Sequence, residues 1–340
     1  MLMHDASRTP WRLEPALVAR PWGGRRLVGL PRSSTVPEGP VGEAWLAGPD
    51  TLAVRAVDPD ARVSSERTTL GALAAAAGEA FLGRAAYQRH GARVPLLVKL
   101  LDAAEALSVQ VHPDDGYARS VERAVDGVGV PLGKTEAWLI LEAEPSASVA
   151  WGWRRAVTAD EVRRAIDAGA METLLRDLPV RAGDVVVNEA GVVHAVGPGI
   201  LLYELQQASD LTYRLFDYDR RDAAGRPREL HVEKALDVAR LEPNDAPAPP
   251  RSLAPGRSLL AETDAFRMER WALGREDAPS EQTWRVDARS MEFWTLLEGA
   301  ASLVWEGDSC PVERFESVAL PASLGAARWR GDAVLVRGTV

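Results

Sequence analysis

Cysteine is almost absent: Cys310 is the only one in 340 residues. That excludes an intramolecular disulfide and a thiolate zinc cluster. Histidine is scarce too, with five in the chain. No apolar run approaches the roughly 20 residues of a membrane-spanning helix. The opening MLMHDASRTPWRL lacks the apolar core of a secretory signal. Positive charge is in the minority, and the formal net charge of −9 argues against a nucleic-acid footprint. The expectation is a soluble, cytoplasmic protein that engages neither membrane nor nucleic acid.

Apolar residues make up 46% of the chain and charged residues 26%, the balance of a globular protein with an ample core. A chain this long exceeds the size at which one core stops growing, so two domains, or one with an appendage, are expected. Gly and Pro crowd the N-terminal region and predict short strands and loops. In TTLGALAAAAGEAFLGRAAYQRHG, Leu70, Leu73, Ala77 and Phe81 lie near helical spacing, predicting a helix or helix pair. A further helix is expected after Thr158, which can cap it. Asp160 and Glu161 would occupy its first turn, with Val162, Ala165 and Ile166 as the apolar stripe. LEPNDAPAPPRSLAPGR is dense in proline, lacks periodicity and reads as a linker. His4 and His90 are expected at the surface, and His231 in a structural place.

The stretch LSVQVHPDD carries the first chemical signal. Leu107, Val109 and Val111 alternate with Ser108, Gln110 and His112, the period of a half-buried strand, and Pro113 with Asp114 and Asp115 ends it in a turn. Gln110 and His112 therefore stand side by side on one face. Gly183, Glu189, Gly191 and His194 then fall at the spacing of the second cupin motif, with Glu189 where proline is usual, which this segment resembles. Gln110, His112 and Glu136 fit the first motif. RFESVALPASLGAARWRGDAVLVRG repeats the layout of RAGDVVVNEAGVVHAVGPGILLYE, with Ala327 near the place of His194 and no histidine after His231. That predicts a duplicated β-barrel in which one half works.

Longer strings sharpen the resemblance. PLLVKLLDAAEALSVQVHPDD, GKTEAW, GVVHAVGPGILLYELQQASDLTYRLFDYDR and WGG look like a type I mannose-6-phosphate isomerase of the short bacterial kind, in order over roughly residues 15 to 235. The resemblance implies a mainly β fold of two cupin-like (jelly-roll) β-barrels with a small added helical portion. Residues 1–240 would form the catalytic barrel, 241–257 the linker and 258–340 a metal-free second barrel. It implies one Zn²⁺ per chain on Gln110, His112, Glu136 and His194, although Fe²⁺, Co²⁺ or Mn²⁺ accept similar donors. It further implies interconversion of mannose 6-phosphate and fructose 6-phosphate. Arg214 matches the family's catalytic arginine, and Lys99, Lys134, Glu204 and Asp210 match polar pocket positions. The residue acting as base stays open.

Moving a carbonyl between C1 and C2 means removing a proton beside it and stabilising an enediol-like species. That explains a metal, a fixed cation and proton-transfer groups in one pocket. Each residue also has a plainer reading. Arg214 could pair with Asp217 or Asp219, and Trp22 could be core or line the sugar site. Departures from the usual pattern occur at Glu189, whose added carboxylate could alter metal affinity, and in GEAWLAG, which keeps only Gly42, Glu43 and Trp45 of the usual Gly-Glu-Ser-Trp-Glu. Two other function classes fit the bare motifs. A non-catalytic sugar-phosphate-binding cupin would be expected to lack a ligand or the arginine, and another metal cupin enzyme, such as an iron dioxygenase, is disfavoured by the longer strings.

Overall fold

The computed structural model describes residues 7–33, 35–56, 67–122, 131–221, 225–275 and 277–340. The fold is mainly β, as expected, and among the described residues the strands form antiparallel sheets of eleven, six and five. The six-stranded sheet runs in the order Val185–Asn188, Glu136–Ala143, Ile200–Gln207, Leu96–Ala103, Ala16–Gly24 and Val41–Ala47. The five-stranded sheet runs Leu175–Pro179, Ser148–Trp153, His194–Val196, Val109–Val111 and Tyr213–Phe216.

The central strands LLVKLLDA and ILLYELQQ are buried along their whole length, because the sheet is covered on both faces. On the outer face, Val98, Leu100, Tyr203, Leu205 and Leu139 share a core with Phe266, Met268, Phe293 and Val336 of the C-terminal half. On the inner face, Leu101, Leu202, Ile140, Trp138 and Val186 pack against Val149, Trp151 and Val196 of the five-stranded sheet. Lys99, Glu204 and Gln206 interrupt this inner face, so their polar ends meet in the space between the two sheets.

The eleven-stranded sheet holds the C-terminal strands, joined by Trp11–Glu14, Leu52–Arg55 and Arg67–Thr69 from the N-terminal region. Its interior is packed with Trp271, Trp294, Trp329 and the partly buried Trp284, and Ala327 lies buried among them. Glu292, fully buried, accepts hydrogen bonds from the indoles of Trp284 (3.1 Å) and Trp294 (2.7 Å) and pairs with Arg337 at 2.5 Å.

Helix placement follows the sequence with two refinements. The Ala-rich segment forms three short helices, Leu70–Ala77, Glu79–Leu82 and Arg84–His90. It breaks at Gly78 and Gly83, whose φ values of 50° and 89° lie in the left-handed region. Thr158 and Glu161 form a reciprocal capping box on Ala159–Asp167, with Val162 buried, as the spacing predicts. Within the proline-rich linker, Arg251–Ala254 is a strand paired with Arg257–Glu262, since the proline run ends at Pro250 and Gly256 closes the hairpin. His90 is buried at 6% exposure rather than at the surface, because its helix packs against the core through Ala86. His4 lies outside the described residues. Among the described residues no helix is long and apolar enough to cross a membrane.

Candidate metal centre

Three side chains at or just beyond the ends of different strands meet between the two inner sheets: His112, Glu136 and His194, with ligand atoms all within 4.8 Å of one another. Each is at most 1% exposed. His194 opens the strand His194–Val196 directly beside Gln110 in register. The turn before it needs Gly191, whose φ is 88° and whose place would put a Cβ 2.9 Å from the Val238 carbonyl oxygen. Glu136 opens its strand after Gly133, where an added Cβ would come within 2.5 Å of the Asp114–Asp115 backbone. That close approach brings Lys134 and Glu136 beside His112. Asp114 caps the helix Asp115–Val121, so the aspartate pair does form the expected turn.

Hydrogen bonds set the direction of both imidazoles. His112 Nδ1 lies 2.8 Å from the Leu211 carbonyl oxygen and His194 Nδ1 lies 2.9 Å from that of Val192. A carbonyl oxygen only accepts, so each Nδ1 carries the proton and each Nε2 presents a lone pair. Those lone pairs face Glu136: His194 Nε2 is 3.2 Å from Oε1 and His112 Nε2 is 3.4 Å from Oε2. Glu136 Oε1 is buried and has no hydrogen-bond donor. Burial pushes His112 down to about 3, with the Lys134 ammonium adding to the effect, so it stays neutral. Burial works against the Glu136 carboxylate, yet the Lys134 ammonium holds it well below the usual range. Two imidazoles and a carboxylate converging in a buried space, with one oxygen orphaned, fit a divalent cation.

Gln110 adjoins this group through its side-chain nitrogen, 3.4 Å from His194 Nε2, while Ser108 donates to its Oε1 at 3.3 Å. A half-turn of the amide exchanges the two atoms and aims the oxygen at the imidazoles. Lys134 Nζ donates to Glu136 Oε2 at 2.5 Å and to His112 Nε2 at 3.0 Å. Its burial opposes the charge, but Glu136 and Glu204 outweigh that and keep it protonated. Lys99 Nζ sits 3.9 Å from Glu204, 4.0 Å from Glu43 and 4.0 Å from Asp210, over the Trp45 ring. Asp210 is exposed at the mouth, while Glu204 is buried and takes the Trp138 indole at 3.0 Å. Burial, and then the charge of Glu136, pushes Glu204 up to about 7.

Arg214 stands opposite Gln110 in register and is half-buried. Its Nε points at Ser108 Oγ (3.4 Å) and its Nη1 donates to the Glu229 carbonyl oxygen (2.8 Å). Among the described residues no carboxylate lies in ion-pair range of it. Asp217 is taken by Arg220 and Arg228, and Asp219 by Arg221. His231 is structural as expected, its Nδ1 accepting the Arg214 backbone N–H at 3.2 Å. Trp22 is buried in the core between the sheets. Glu189 turns outward and pairs with Arg240 at 2.9 Å, so its carboxylate is spent at the surface rather than near the buried imidazoles.

The model of the type I phosphomannose isomerase catalytic domain matches residues 11–126. Mannose-6-phosphate isomerase ManA of Bacillus subtilis (strain 168) is 35% identical over 254 residues, which is 72% of this chain and 75% of that protein. The chain belongs to the type I phosphomannose isomerase family. A crystal structure of the mannose 6-phosphate isomerase from Bacillus subtilis matches this family member with a TM-score of 0.80 and 29% identity, covering 98% of this chain and 100% of that one. A holo, zinc-bound mannose 6-phosphate isomerase shares the fold, with a TM-score of 0.73 at 16% identity over 97% of this chain and 99% of that one.

Sequence reasoning missed the supporting polar groups of this phosphomannose isomerase relative. Glu43 is held by a two-point pair with Arg20 (3.0 and 3.1 Å) and by the Trp45 indole (2.7 Å) while it faces Lys99. The missed signal is a Glu-x-Trp step that recurs at Glu43, Glu136, Glu269 and Glu292.

Glu204 generates a pH-dependent prediction for chelated protein. Its folded-state value near 7 lies above that of an exposed carboxyl, so the folded state keeps a proton that the unfolded chain releases. Its contribution to stability is lost as pH rises from about 4.5 to about 7. Glu204→Gln never ionises, so its stability relative to wild type should rise across that window. Urea unfolding at pH 5 and pH 8 checks this, and a relative stability that falls with pH would contradict it.

Proposed function

We propose that this chain is a zinc-dependent aldose–ketose isomerase that interconverts mannose 6-phosphate and fructose 6-phosphate through an enediol-type intermediate. The observation that carries the reading is the convergence of His112, Glu136 and His194 with both Nε2 lone pairs turned inward, in a chain of this family. One zinc would rest on these three and on the Gln110 oxygen, taking the His112 Nε2 lone pair from Lys134, which keeps Glu136 Oε2; when bound, it would stabilise negative charge developing on the sugar oxygens. In this reading residues 1–240 supply the catalytic barrel, except that Trp11–Glu14, Leu52–Arg55 and Arg67–Thr69 join the sheet of the C-terminal half. Residues 241–257 connect it to a second barrel, 258–340, whose interior offers tryptophans and an arginine-paired glutamate instead of metal donors.

The polar groups around the centre divide by charge and exposure. Lys134 is a buried ammonium that can donate beside the reacting carbons. Glu204, near its midpoint at neutral pH, can take and return a proton. Lys99 holds Glu204 and Asp210 at the inner and outer ends of the pocket. Among the described residues Arg214 has only a hydroxyl and a carbonyl as side-chain partners, which leaves its charge for an anionic sugar phosphate or the enediolate. A cytoplasmic location suits such a substrate, since its charged phosphate opposes membrane passage.

A coupled assay for fructose 6-phosphate formed from mannose 6-phosphate, with and without chelator, tests the reading. Turnover should vanish on chelation and return with zinc, while the fold survives because the chain has its own large core. His194→Ala should behave like the chelated protein. Full turnover by protein shown to be metal-free would contradict the mechanism.

Arg214→Ala should lower kcat by about 10²–10³ while zinc content and folding stay near normal, since loss of one fixed electrostatic stabiliser costs about that much. Arg214→Lys should recover little, because a point charge does not reproduce the planar fork. A near-normal kcat in Arg214→Ala, with only thermal stability changed, would assign the residue a structural role.

A further inference from the structure

Asn188 is fully buried, yet among the described residues neither its Nδ2 nor its Oδ1 has a hydrogen-bond partner. It ends the strand Val185–Asn188, where it pairs directly with Glu136. Directly paired residues in an antiparallel sheet present their side chains on the same face, with Cβ atoms about 4.5–5.5 Å apart. That face is known here. Two pairs along, and so on the same face of the pleat, Val186 and Trp138 both belong to the core between the inner sheets. Asn188 therefore flanks Glu136 inside the pocket, on the edge of the sheet.

On the other side of Glu136 stands Gln206, again in register. Its Nε2 is already used by the carbonyl oxygens of Gln207 (2.9 Å) and Ser209 (2.7 Å). Asn188 is thus the amide in this row with both atoms free, beside a carboxylate whose Oε1 also lacks a donor. An unpartnered buried amide is unfavourable, and the preceding Val185, Val186 and Val187 show that the strand readily takes valine. A polar group here needs a reason. Asn188 Nδ2, Asn188 Oδ1, Glu136 Oε1 and Gln206 Oε1 are four unpartnered polar atoms in one buried row, enough partners for a single ordered water.

We propose that Asn188 is a positioning residue for the metal centre: through one bridging water, its side-chain amide fixes the turn of the Glu136 carboxylate toward His112 and His194. The proposal rests on the metal reading of the site. A carboxylate that is itself hydrogen-bonded is pre-oriented, and outer partners of this kind typically change metal affinity 10–100-fold.

Asn188→Val and Asn188→Thr have the same shape and differ by one hydroxyl. Zinc affinity is measured by competition with a chromophoric chelator, and thermal unfolding is measured on each metal-free protein. Asn188→Val should bind zinc about 10–100-fold more weakly, with metal-free stability unchanged or raised, and Asn188→Thr should recover most of the affinity. Equal zinc affinity in Asn188→Val and wild type would overturn the proposal, as would equal losses in the two variants. A failure of wild type itself to bind zinc would remove the metal reading, a result distinct from any difference between the variants. A crystal structure of the zinc-loaded wild type gives a check independent of the variants: one water joining the Asn188 amide to Glu136 supports the proposal, and an amide turned away from Glu136 overturns it.

Discussion

Everything at this site depends on two hydrogen bonds from imidazole to backbone. The Leu211 and Val192 carbonyl oxygens hold the Nδ1 protons of His112 and His194, which turns both Nε2 lone pairs onto the buried Glu136 carboxylate. Lone pairs at such distances repel, and burial removes the water that would screen them. The arrangement is stable only around positive charge. Lys134 supplies some of it from one side, through Glu136 Oε2 and His112 Nε2. His194 Nε2 and Glu136 Oε1 face each other without that ammonium, which is where a divalent cation would satisfy both.

The C-terminal half solves a similar problem in a closed way. Glu292 begins a Glu-x-Trp step as Glu136 does, but its oxygens are filled by two indoles and the Arg337 guanidinium. A guanidinium is a permanent cation fixed to the chain, so that centre has no use for an exchangeable ion. In the first half the corresponding indole, Trp138, goes to Glu204 instead and leaves Glu136 to the imidazoles. One displaced hydrogen bond separates a filled core from an open site.

Much of this was legible from side-chain period and motif spacing. Gln110 and His112 declare one face by alternation, and Thr158 and Glu161 declare a cap, because both signals act within a few residues. The cluster of His112, Glu136 and His194 was legible for a different reason, since few residue types can hold a metal and their spacing is bound to the turns that carry them. Groups joined only by the sheet register were hidden. Glu43 meets Lys99, and Asn188 meets Glu136, across strands that are distant in sequence. His90 was misplaced because a histidine at the end of a short helix looks exposed, whereas this helix lies against the core. The breaks at Gly78 and Gly83 escaped because an Ala-rich period hides a single left-handed residue.

The central claim is that these side chains form one zinc site with an all-nitrogen and oxygen shell. The zinc K-edge absorption spectrum of the loaded protein tests it most directly. The spectrum should show two imidazole nitrogens with carboxylate and amide or water oxygens, at about 2.0–2.2 Å and without sulfur. A first shell lacking paired imidazole scattering, or containing sulfur from Cys310, would contradict it.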